Sequence, residues 1–81
     1  RMQTMKRNAV ERLTAIIEQE GDAFVSLCPE IDVASQGRTV EEARANLIEA
    51  VELFLETASK SEIKRRLHPV VYISPIEVKV G

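Results

Sequence analysis

The run Thr39-Val40-Glu41-Glu42 constrains this 81-residue chain more than any other stretch, because it is an S/T-x-x-E capping box set directly ahead of an apolar stripe. In such a box the Thr39 hydroxyl accepts from the Glu42 amide, and the Glu42 carboxylate reaches back to the Thr39 amide. Val40, Ala43, Leu47, Ala50, Val51, Phe54 and Ala58 then recur at three- and four-residue spacing. The spacing predicts a helix starting at Thr39 that lays one face on a sheet for about five turns. Ile48 and Leu55, seven apart, lie at the edge of that stripe and widen it beyond what one small sheet requires, so a second surface is expected to cover them. Ser59-Lys60-Ser61-Glu62 repeats the capping pattern, and "EIKRRL" reads as one more short turn of helix. Pro69 forces His68 out of helical geometry and ends the helical region.

Ahead of the helix the apolar period changes from three or four to two. In "RLTAIIEQE" (12–20), Leu13, Ala15 and Ile17 alternate with Thr14 and Glu18, which predicts a half-buried strand. Gly21 reverses the chain and "AFVSLC" (23–28) alternates again, so the two form a hairpin. Pro29 stops the second strand, and "DVASQGR" (32–38) is a third, weaker one in which Gly37 marks a bulge or a close backbone approach. After the helix, "VVYISPIEVKV" (70–80) carries two apolar sets, Val71 with Ile73 and then Ile76, Val78 and Val80, split by Pro75. A proline has no ladder amide, so this final strand belongs at a sheet edge or a bulge. The expected order is β-β-β-α-β, an α+β chain in which a three-stranded antiparallel meander is followed by a crossover helix and a final edge strand parallel to a meander strand. One domain spans 12–80. Residues 1–11 are expected to be an N-terminal arm or an appended segment, since the opening "RMQTM" reads as a processed or appended start.

Charge and cysteine count narrow the function classes. Eleven Lys and Arg against thirteen Asp and Glu give a net charge of -2, the wrong sign for a domain that coats phosphates unaided and the right one for a basic partner. Cys28 has no second cysteine to pair with, and Cys28 and His68 alone build no metal cluster, which favours a reducing cytoplasm. No stretch approaches the roughly 18 apolar residues of a membrane span. Cys28 beside Pro29 has no matched base and reads as a small buried thiol. His68 and the Lys64-Arg65-Arg66 cluster read as cations complementing a helix C-terminus. Gly37 stands alone, without the G-K-S/T of a phosphate loop. No catalytic, cofactor-binding or metal-binding set is expected.

The segment "FVSLCPEIDVASQGRTVEEARANLIEAVELFLE" resembles the HicB antitoxin family of bacterial and archaeal toxin-antitoxin pairs, over about residues 12–58. Phe24, Pro29-Glu30-Ile31, Ser35-Gln36-Gly37, Thr39, Glu41-Glu42-Ala43 and Glu49-Ala50 carry the resemblance. It implies a partial ribonuclease-H-like β-β-β-α-β fold and a partner, a HicA-like toxin, which is a small basic ribonuclease neutralised by protein contact. "IDVA" stands where many members carry a Pro-Gly-Cys turn. The helix-turn-helix or ribbon-helix-helix domain of longer members is not seen, so DNA binding is not expected of this chain alone. Against a basic partner, Asp22, Glu30 and Asp32 are the acids expected nearest the contact.

Three functions compete: an antitoxin-like protein-binding module, a small-molecule binding or sensor domain of the same fold, and a hydrolase remnant holding a metal through Glu18, Asp22 and Asp32. A homodimer is also expected. It would cover Ile48 and Leu55 on the helix and Ile76 on the final run, and would enlarge a core near the lower size limit for independent stability.

Overall fold

The computed structural model describes residues 12–81 apart from Pro69, so the expected arm at 1–11 lies outside the described residues. Three strands, β1 (Ile16–Glu20), β2 (Ala23–Cys28) and β3 (Val33–Gly37), are followed by two helices, α1 (Val40–Thr57) and α2 (Lys60–Arg66). The strands form one antiparallel sheet in the order β1-β2-β3. The architecture is a small α+β fold.

Local chemistry explains each boundary. Gly21 takes φ +62° at the first of two loop positions between Glu20 and Ala23, the geometry of a type II′ hairpin turn. The second reversal spans Pro29 to Asp32. Asp32 adopts φ 61°, a left-handed conformation that a short polar side chain tolerates, and its N–H donates to the Cys28 carbonyl at 2.9 Å. The first strand is shorter than its alternation predicts, because residues 12–15 run as an extended lead and laddering begins only where Ile16 faces Leu27.

At α1, Thr39 is the N-cap as predicted, its hydroxyl accepting from the Glu42 amide at 3.0 Å. The reciprocal half of the box differs from expectation: the Glu42 carboxylate accepts from the Arg38 amide, one residue earlier than Thr39. Ser59 caps α2 in the same way, accepting from Glu62 N–H at 3.1 Å.

Register sets which face is covered. Ile17, Ser26 and Ser35 lie side by side across the three strands, and the Ser26 hydroxyl donates to the Ala43 carbonyl of α1 at 2.9 Å, so this row faces the helix. Small residues let α1 come close on that side. A Cβ at Gly37 would lie 2.5 Å from the Ala43 nitrogen, and Asn46 Nδ2 donates to the Gln36 carbonyl at 2.8 Å. α1 therefore packs mainly across β3 and β2 and touches β1 least. The core is Cys28, Ile31 and Leu47, with Leu13, Val33, Val51 and Phe54 packed against it. Complete burial of Ile31 and Leu47 is worth about 1.5–3 kcal/mol each. Val40, placed in the stripe by its spacing, is 43% exposed.

The final strand is the main departure. Among the described residues, 70–81 form no strand, and Tyr72, Ile76 and Val80 are 89%, 81% and 92% exposed. Alternation makes a run competent to be a strand, but a strand forms only beside a backbone that supplies its hydrogen bonds. Here the run lies apart from the sheet.

Candidate functional site

The polar centre of the molecule is a knot at one end of the sheet. Glu30, in the β2–β3 turn, is only 8% exposed. Its Oε1 accepts from the Thr14 amide at 3.0 Å and from the Cys28 thiol at 3.4 Å, and its Oε2 accepts from the Thr14 hydroxyl at 2.6 Å. Burial disfavours the charge, but donation from the Thr14 hydroxyl and amide outweighs it and holds the carboxyl below its ordinary value. The same arrangement raises Cys28: burial first, then its hydrogen bond to the Glu30 carboxylate. A protonated thiol that is 1% exposed is a donor to Glu30 and is poorly suited to nucleophilic attack.

A second tie fixes the outside of this turn. Arg66, at the end of α2, donates through one guanidinium nitrogen to the carbonyls of Asp32 at 2.9 Å and Ile31 at 3.3 Å, and its guanidinium lies 4.8 Å from the Phe54 ring centroid. Of the basic cluster, Arg66 is thus docked on the turn, whereas Lys64 and Arg65 are exposed. The His68 amide donates to the Glu30 carbonyl, so the chain leaves the fold beside the knot.

Between the lead held by Thr14 and the flank of α1 runs an open groove of about 970 Å³. Leu13 and Ala15 form one wall, Ile48, Val51 and Leu55 the other, and Arg44 and Glu52 stand among its lining residues. Thr14 and Cys28 also line it, but their polar groups are already committed to Glu30. Ile48 and Leu55, expected at an interface, share this groove at 43% and 40% exposure; Ile76 is on the separate C-terminal run.

The three acids expected to face a partner are not brought together. Asp22 is exposed in the β1–β2 turn, while Asp32 is exposed at the far end of the six-residue β2, roughly 17–20 Å away by strand rise. Glu30 is turned inward, a correction to its expected role, because its carboxylate completes a buried hydrogen-bond set. Glu18 is on β1, so the suggested metal set of Glu18, Asp22 and Asp32 does not converge. Among the described residues, no group of three His, Cys, Asp or Glu could hold a metal ion, and no helix is long and apolar enough to cross a membrane.

Of the positions carrying the resemblance, Pro29-Glu30-Ile31 belong to the knot, while Phe24, Gly37, Thr39 and Glu41-Glu42-Ala43 lie at the other end. Phe24 pairs with Gly37, which places the Gly21-Asp22 turn beside the Arg38–Glu42 junction. Glu20, Asp22, Glu41 and Glu42 make that end acidic, and all four are exposed. Thr14, Arg66 and the knot they stabilise were not found from the sequence; the pairing of a threonine with a glutamate sixteen residues away leaves no local pattern. Compared with protein-family models, with curated proteins and with solved structures, the chain matches none.

Proposed function

We propose that this chain is a HicB-like antitoxin module that binds and neutralises a small basic HicA-type ribonuclease by protein contact, in a partial ribonuclease-H-like arrangement. The observation that carries the reading is the strand-to-helix junction. Residues of the resemblance meet there: Gly37 admits the backbone of Ala43, Thr39 caps α1, and Glu42 closes on Arg38. The same end presents Glu20, Asp22 and Glu41 to solvent, an acidic surface that speeds and orients encounter with a basic partner. Asp22 is therefore the acid at the centre of the toxin-facing surface, and Glu30 supports the fold from the opposite end. The chain works in the cytoplasm, where its partner's RNA substrate is found, and needs no cofactor.

The groove suits the small-molecule reading by volume, yet such a site also needs convergent polar groups free to orient a ligand. Thr14 and Cys28 are engaged with Glu30, which weakens that alternative.

Coexpression with a small basic protein encoded beside it tests the proposal. The expected result is a complex that survives purification and weakens at high salt or on changing Asp22→Lys with Glu20→Lys. Separate elution of the two proteins at micromolar concentration would overturn it.

A further inference from the structure

We infer that two copies of this chain exchange their C-terminal runs: residues 70–80 of one copy add a strand beside the 12–20 stretch of the other and set Ile76, Val78 and Val80 into its groove. The inference stands apart from the toxin reading.

Two unsatisfied features on one chain carry it. The first is the open groove between Leu13 and Ile48, bordered by β1, which has β2 on one side and, among the described residues, no strand on the other. The second is the run itself, with Val70, Tyr72, Ile73, Ile76, Val78 and Val80 between 63% and 92% exposed. An apolar strand and an uncovered edge are each unfavourable in water, and each is what the other needs. The run does not occupy the groove of its own chain in this structure. Its origin is pinned where the His68 amide meets the Glu30 carbonyl.

The chemistry matches at the level of side chains. After Pro75, Ile76, Val78 and Val80 share one face, and Glu77 and Lys79 alternate with them. With the apolar three set into the groove, Glu77 and Lys79 face the other way, into solvent, as on an edge strand. As the new edge of the partner's sheet, the run can turn the missing amide of Pro75 to solvent. Because groove and run are both present on every copy, a two-fold exchange satisfies all four half-sites at once. Ile76, Val78 and Val80 of each copy, 71–92% exposed here, would be covered together with the groove walls, twice over in the symmetric pair.

Sedimentation equilibrium at micromolar concentration tests this with three samples. The unaltered chain should weigh twice 9.1 kDa. Ile76→Asp with Val78→Asp, and separately Ile48→Lys with Leu55→Lys, should each return to 9.1 kDa with an unchanged far-ultraviolet circular dichroism spectrum. Mixing the two variants should restore the doubled mass, since one intact run then meets one intact groove. If the groove variant does not fold, truncation after Ser74 against the full chain supplies the same comparison. A mass of 9.1 kDa throughout would overturn the inference, and with slow amide exchange at 76–80 it would place the run in its own groove. A dimer that persists when the run is altered, or a mixture that stays at the lower mass, would overturn it equally.

Discussion

The Thr14 hydroxyl donates to the Glu30 carboxylate at 2.6 Å, joining the lead of the first strand to the turn after the second across sixteen residues of chain. With the Thr14 amide on the other oxygen, this pair holds one wall of the groove and supplies two of the three donors to a buried carboxylate.

Glu30→Gln should therefore cost about 1–3 kcal/mol near neutral pH, since hydrogen bonds to a charged acceptor are lost or weakened. The folded-state carboxyl lies below its ordinary value of 4.5, so its contribution is present above 4.5 and is lost as pH falls through the folded value. Denaturant titrations of parent and variant should show a stability gap that narrows on acidification below 4.5. A gap independent of pH would show that the carboxylate charge is not what the knot uses.

Gly37→Ala is expected to cost about 1–3 kcal/mol, because the added methyl meets the backbone nitrogen of Ala43 at 2.5 Å and backbone cannot move aside as a side chain would. Gly21 gives the contrast. A Cβ there meets nothing within 4 Å, and only its φ of +62° resists substitution, so Gly21→Asn should be the milder change. Chemical denaturation midpoints of the two variants check the order.

Thr39→Ala removes the acceptor of the Glu42 amide and should destabilise by about 1 kcal/mol, whereas Thr39→Ser should be nearly neutral. Urea titrations of the three proteins, at equal slope, read the difference directly.

Arg66→Lys keeps the charge but loses the planar fork over Phe54 and the shared donation to Ile31 and Asp32. Amide exchange of α2 should rise several-fold in the variant while that of β2 is unchanged. Equal exchange in both proteins would show that Arg66 does not dock the helix.

The legible parts of this chain were those decided by neighbours in sequence. Gly21, Pro29, Thr39 and Ser59 each act on the backbone within a few residues, and period two against period three or four separates strands from helix. Glu30 read as a partner-facing acid because Thr14 is remote, and Arg66 read as a cation complementing a helix C-terminus because its acceptors lie 34 and 35 residues away. The run at 70–80 has the alternation of a strand whether or not a backbone lies beside it, so periodicity could not tell an inserted strand from an exposed one. Distance along the chain, more than chemistry, set what could be read.

The most direct test of the protein-binding account is a ribonuclease titration. Any small basic protein encoded beside this chain is assayed for hydrolysis of RNA while the purified chain is added stepwise. The account predicts that hydrolysis stops at a fixed stoichiometry, that Asp22→Lys with Glu20→Lys shifts the inhibition to higher concentration, and that the chain alone leaves RNA intact. Undiminished hydrolysis with the chain in large excess would contradict it, as would RNA cleavage by the chain itself that disappears on changing Asp22→Asn or Asp32→Asn.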